Sequence, residues 1–182
     1  MKIGIAGAGG LGSNVAVNLV RTGINSLKVV DFDEIDESNL NRQFYFRDQI
    51  GHKKVKALYE NLKRINPSLD LTIVDRKIKR ENIHEIFSDC DIVVEAFDKS
   101  IYKSMLIEEL INKKSLIIGA SGIAHHNLKE IEVRQLRENL YIVGDFEKDI
   151  KEYKTYSTKV LVVASTMANL VLEKGGFYAG NN

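Results

Sequence analysis

At 182 residues the chain is about one domain long, enough for a single substantial core. Its 26 basic and 25 acidic residues nearly cancel, so no strong field argues for nucleic acid or an anionic membrane. No apolar run nears the ~18 residues of a membrane span, and the opening MKIGIAGAGG lacks a signal-peptide core. One cysteine, Cys90, excludes both an internal disulfide and a cysteine-rich zinc site. The expectation is one domain over residues 1–182, cytoplasmic, with no membrane or nucleic-acid partner.

Residues 2–7, KIGIAG, are short and β-branched, as a buried parallel strand should be. Glycines end that strand, and residues 11–21 carry the apolar stripe Leu11, Val15, Leu19 and Val20 of a helix, with Gly23 as its stop. Residues 26–31, SLKVVD, read as a second strand, completing a βαβ unit with a right-handed crossover. A long polar loop follows Asp31, and a loop of that length inside a compact domain is usually functional. Residues 48–66 read as a helix, with Val55, Leu58, Leu62 and Ile65 on one side and Pro67 just beyond its end.

Strands are predicted at 69–74, 91–97 and 115–118, with a short helix at 83–87 and another at 101–111. Beyond Gly119-Ala120-Ser121-Gly122 the rhythm changes. Residues 129–136 alternate and 140–143 form another short strand, so antiparallel members are expected in the C-terminal part. Residues 146–157 read as a polar loop, and 159–173 as the most apolar helix. The fold class predicted is α/β: a Rossmann-like, mostly parallel sheet with helices on both faces and a few antiparallel strands near the C-terminus.

Gly7-x-Gly9-x-x-Gly12 sits between a strand and a helix, the context of a dinucleotide fingerprint. Missing side chains let phosphate oxygens approach backbone N–H groups at a helix N-terminus; glycines can also serve only a tight turn. Asp31, at the end of the second strand, is placed to pair with ribose hydroxyls. Those features alone suit NAD. The following loop adds Asp33, Asn39, Asn41, Arg42 and Gln43, and Lys54 lies further on. A triphosphate needs such cations and amides, with Arg42 offering a planar fork and Lys54 a mobile point charge. Taken singly, each cation reads equally as a solvated surface charge.

Asp98 follows an apolar strand at its carboxyl end, where open α/β sheets bind ligands, and one carboxylate there suits Mg²⁺. The alternative is an N-cap for the next helix, a position Ser100 fits better. Cys90 reads as a small buried hydrophobe. His125 and His126 are adjacent, would point apart in a strand and lack an acidic partner at ligand spacing.

Taken together, GAGGLGS at residues 7–13, DFDEIDESNLNRQ at 31–43, Gly51 with Lys54, Asn66-Pro67, FDKS at 97–100 and the Gly119 to Gly122 turn resemble the ThiF/MoeB/HesA family, relatives of ubiquitin-activating enzymes. The compact length looks most like short ThiF-like proteins of thiamine pathways. The resemblance implies ATP-dependent adenylation of the C-terminal glycine of a ubiquitin-like sulfur carrier with a Gly-Gly tail. It implies a nucleotide site of Gly7, Gly9, Gly10, Gly12, Asp31, Asp33, Asn39, Arg42, Gln43 and Lys54, with Asp31 on the ribose and Arg42 and Lys54 on the phosphates. Asp98 would bind Mg²⁺, and Arg42, Lys54 and Asp98 together would carry catalysis. It implies a homodimer, and no zinc, because the paired CxxC motifs of larger members are absent.

Larger members also carry an arginine on an N-terminal helix, whereas this sequence opens on its first strand; adenylation with one cation fewer is the expectation. Residues 146–157 hold no cysteine, so covalent thioester or persulfide chemistry by that loop is not expected. Two other readings remain open from the residues: an NAD(P)-dependent oxidoreductase, from the fingerprint and Asp31, and a non-catalytic nucleotide-binding partner protein.

Overall fold

A computed structural model describes residues 1–147 and 152–178. Seven strands form one sheet: β1 (Ile3–Ala6), β2 (Ser26–Asp31), β3 (Asp70–Asp75), β4 (Ile92–Glu95), β5 (Leu116–Ala120), β6 (Glu132–Arg137) and β7 (Leu140–Gly144). Their spatial order is β3-β2-β1-β4-β5-β7-β6. All neighbouring pairs are parallel except the last, β7 with β6. The predicted α/β class therefore holds, and the departure from parallel order is the terminal hairpin.

Helices cover both faces. Helices α1 (Gly10–Arg21), α2 (Lys54–Ile65) and α5 (Ser157–Lys174) pack one side, burying Val15, Leu19, Leu58, Leu62, Val163 and Met167 against Ile3, Ile5, Val29 and Val94. Helices α3 (Ile83–Ile86) and α4 (Ser100–Leu110) pack the other, burying Ile83, Leu106 and Leu110 against Ala6, Val30, Val93 and Ile117. Strands buried on both faces explain why β1 and β5 read as apolar runs, and β4 as one up to Glu95. The strand order reverses between β1 and β4, so the crossovers leave a crevice there, at the carboxyl ends. No helix of the described residues is long and apolar enough to cross a membrane.

Some boundaries differ from those read in the sequence. The helix predicted from residue 48 starts at Lys54, because Arg47–Gln49 form a separate 3-10 turn and Gly51, at φ +82°, breaks the path between them. The loop after β2 is structured: Glu37–Asn39 make a 3-10 turn capped by Asp36, whose carboxylate accepts from the Ser38 N–H at 2.8 Å. Ser100 does not cap α4; Lys99 occupies that position and gives no side-chain cap. The rings of His125 and His126 do not point apart: His125 adopts φ +70°, and the two ring centroids lie 4.2 Å apart at a tilt of 35°. Of the loop read at 146–157, residues 148–151 lie outside the described residues.

Candidate nucleotide site

Gly7 follows β1 at φ +102°, with its N–H on the Val30 carbonyl at 2.8 Å. A methyl at Gly12 would run into the Gly7 carbonyl oxygen. The first and third glycines of the fingerprint are therefore sterically required here, the third allowing helix and turn to touch. Asp31 closes β2, and its carboxylate ties two loops together. It accepts from the Ala8 N–H at 2.6 Å through one oxygen and from the Asp33 N–H at 2.8 Å through the other. Below it, the buried Tyr45 hydroxyl donates to the Ala8 carbonyl at 2.7 Å. Burial and then the Asp31 charge push its pKa well above the ordinary phenol value, so it stays a donor.

The polar loop is pinned to α1. Asn14 donates to the carbonyls of Gly10 (2.6 Å) and Arg42 (2.9 Å), and the Ser13 hydroxyl accepts from the Phe44 N–H at 3.0 Å. The Arg42 guanidinium donates to Asn41 Oδ1 at 2.7 Å and to the Ser38 carbonyl at 3.1 Å, which fixes its direction while leaving other donors of the fork available. Lys54 is the first residue of α2 and is 6% exposed. Its ammonium pairs with Asp33 at 2.9 Å, so the point charge is held in place. Asn39 spends its side-chain oxygen on the Asp36 N–H at 3.1 Å, serving the loop's own turn. Gln43 Oε1 is buried with no hydrogen-bond partner among the described residues, which is costly unless a donor arrives.

These groups meet in a single cavity of about 360 Å³, within the ~300–1,000 Å³ range of small-molecule sites. Gly7, Gly9, Gly10, Asp31, Asp33, Asn39, Arg42, Gln43, Lys54 and Asp98 all line it. Gly12 does not; it packs behind the turn. Asp98 stands in the turn after β4, exposed at the rim. Sequence reasoning missed Arg76, Lys77 and Ile78, which follow β3 and form the far wall, and Tyr102 of α4. Lys77 lies over the rings of Phe32 (5.4 Å) and Tyr102 (5.6 Å). The signal was present, because 76–78 leave the carboxyl edge of a parallel strand just as Asp98 does. Glu95 and Lys103, behind the site, were also missed.

Asp98 fits a magnesium ion in one respect. Its carboxylate takes no hydrogen bond or ion pair from the described residues and faces a cavity lined by cations, where Mg²⁺ takes one or two protein oxygens and phosphate for the rest. No cluster of three or more metal-ligating side chains occurs among the described residues, so such an ion would depend on phosphate for much of its shell. Cys90 is buried, and desolvation and then Asp89 push its thiol up to about 11, consistent with a structural residue.

A family model described as the ThiF family matches residues 1–172. The chain is similar to the adenylyltransferase and sulfurtransferase UBA4 of Candida glabrata, at 32% identity over 123 residues, 67% of this chain and 28% of that protein. It is also similar to the tRNA threonylcarbamoyladenosine dehydratase of Escherichia coli, at 32% over 120 residues, 65% of this chain and 45% of that one. These matches span less than half the length of either relative. The fold superposes on the crystal structure of the E. coli tRNA N6-threonylcarbamoyladenosine dehydratase in complex with ATP with a TM-score of 0.83, at 23% identity over 97% of this chain and 87% of that one. A glycine turn locked by Asp31, a cationic cavity at the sheet's switch point and a match across nearly the whole sequence lead to one conclusion: the chain belongs to the ThiF family.

Proposed function

We propose that this protein is an ATP-dependent adenylyltransferase that activates the C-terminal glycine of a ubiquitin-like sulfur carrier with a Gly-Gly tail. The observation that carries the reading is the shared cavity of Asp31, Arg42, Lys54 and Asp98 around the glycine turn. In this reading Asp31, already oriented by the Ala8 and Asp33 amides, receives the ribose hydroxyls. Gln43 Oε1 offers a ready acceptor to a hydroxyl donor. Arg42 and Lys54 hold the phosphates, and Asp98 would hold magnesium, which when bound neutralises phosphate charge.

The carrier's terminal carboxylate oxygen attacks the α-phosphorus, the bond to the bridging oxygen breaks, and pyrophosphate leaves with that electron pair, giving an acyl adenylate. The attacking carboxylate is ionised at neutral pH, so no general base is needed. Positioning and charge neutralisation supply the rate. We extend the proposal to a thiamine-pathway carrier, a homodimer and a cytoplasmic setting, as the sequence resemblance implies. Carrier-dependent exchange of pyrophosphate into ATP is the test; an intact Gly-Gly tail that supports no exchange sinks the carrier assignment.

A second reading has the activated group on a modified tRNA nucleoside. It is favoured by the relative and the superposed structure that carry a tRNA dehydratase name. Substituting modified tRNA for the carrier in the same ATP assay separates the two, since each reading predicts turnover with its own acceptor alone. The oxidoreductase reading predicts tighter binding of NAD than of ATP, which calorimetry decides.

A further inference from the structure

Asp98 has no side-chain partner among the described residues, so its backbone sets the region its carboxylate can reach. What fixes that backbone is an ion pair that flanks it: buried Glu95, three residues upstream, and part-buried Lys103, five residues downstream. Glu95 closes β4 with its side chain 1% exposed, in a position where the neighbouring strands β1 and β5 end in Ala6 and Ala120. A buried carboxylate is costly, and an apolar residue would satisfy packing alone. Glu95 Oε1 accepts from the Phe97 N–H at 2.7 Å, which fixes the turn immediately before Asp98. Lys103, one turn into α4, donates to Glu95 Oε1 at 3.1 Å, to Oε2 at 3.0 Å and to the Ala120 carbonyl at 3.0 Å. All three ammonium hydrogens are thereby used, so Lys103 has none to spare for a ligand. Gly119 leaves the room, since a methyl there would lie 3.1 Å from Glu95 Oε2.

We propose that Glu95 and Lys103 are positioning residues that bind β4, α4 and β5 into one rigid rim and so aim Asp98 at the metal–triphosphate. The inference rests on the reading of Asp98 as the carboxylate that meets magnesium. Lys103 never touches the nucleotide; it acts through the Phe97 amide and the start of α4.

Calorimetric binding of ATP, with Mg²⁺ and with EDTA, tests it on the wild-type chain and on Asp98→Asn, Lys103→Met, Lys103→Arg and Glu95→Gln. Lys103→Met is expected to weaken binding about tenfold with Mg²⁺, the size typical of lost outer-shell support, and Asp98→Asn, which removes the carboxylate itself, at least as much; both are expected to leave binding in EDTA unchanged. Lys103→Arg, which keeps the charge and the donors, is expected to restore most of the loss. Should Lys103→Met fail to fold, the isosteric Glu95→Gln carries the same expectation in milder form. Wild-type affinity in Lys103→Met and Glu95→Gln, beside a loss in Asp98→Asn, overturns the positioning role and leaves the Asp98 reading standing. An equal loss in EDTA also overturns it, by showing general damage. Wild-type affinity in Asp98→Asn overturns the reading of Asp98 and this inference with it, and a wild-type chain that does not bind ATP overturns the nucleotide reading itself.

Discussion

Glycine by glycine, the turn after β1 divides its labour. A methyl on Gly12 has nowhere to go, whereas one on Gly9 would meet only Gln43 Nε2 at 3.8 Å, an ordinary contact on the cavity wall. Gly12→Ala is therefore expected to destabilise the fold by about 2–3 kcal/mol, as overpacking does. Gly9→Ala should leave the urea midpoint nearly unchanged yet weaken ATP, because its methyl occupies space a phosphate would use. Denaturation and nucleotide titration of the two variants check this, and a destabilised Gly9→Ala would refute the division. Asp89 offers a pH test at the same scale. Burial pushes its carboxyl up, but the hydrogen bonds from Lys28 and Lys2 win and hold it at about 2, below the ordinary 3.8. A depressed carboxyl stabilises the fold above its unfolded value and loses that contribution as pH falls through the folded one. Asp89→Asn is thus expected to cost about 1 kcal/mol or less at pH 7, since Asp89 is half-exposed. The cost should vanish between pH 4 and pH 2, which urea melts at the two ends of that window measure.

Among the elements, the first βαβ unit was legible because local and global signals agree: apolar run, glycine turn, amphipathic stripe, acid-tipped strand. Asp98 was legible for a related reason, since it leaves the carboxyl edge of an apolar strand. The start of α2 was not. Gly51 at positive φ inserts a break that periodicity alone runs through, and only that break lets Lys54 open the helix facing Asp33. The Glu95–Lys103 lock was hidden because a carboxylate inside DIVVEAF carries no mark of its partner eight residues on. Lys159 shows the same limit more sharply. It reads as the first residue of an apolar helix, yet its ammonium is fully buried, paired with Asp145 at the end of β7 and donating to the Ala124 carbonyl at 2.7 Å. The pair joins the two ends of the segment between β7 and α5. Lys159→Met is expected to cost about 3–5 kcal/mol, because it removes one partner of a buried ion pair. A urea midpoint near wild type would show instead that the pair contributes little.

For the whole molecule, the sheet's reversal between β1 and β4 is what makes one site from distant segments. Residues after β1, β2, β3 and β4 reach a common cavity only because all four strands end on the same edge. The cavity holds Arg42, Lys54, Arg76, Lys77 and Lys99 against Asp31, Asp33 and Asp98, so its own charge favours an anion in a protein that is nearly neutral overall. Arg42→Ala is expected to cut turnover by about 10²-fold or more, the size of losing one preorganised donor to a developing charge, with folding intact. Steady-state rates beside a melting curve check it. The most direct measurement of the central claim is exchange of labelled pyrophosphate into ATP with Mg²⁺ and a ubiquitin-fold carrier. Exchange with the intact Gly-Gly tail that disappears when the terminal glycine is removed is the predicted result. Exchange absent with the intact tail, from a chain that still binds ATP, would contradict it.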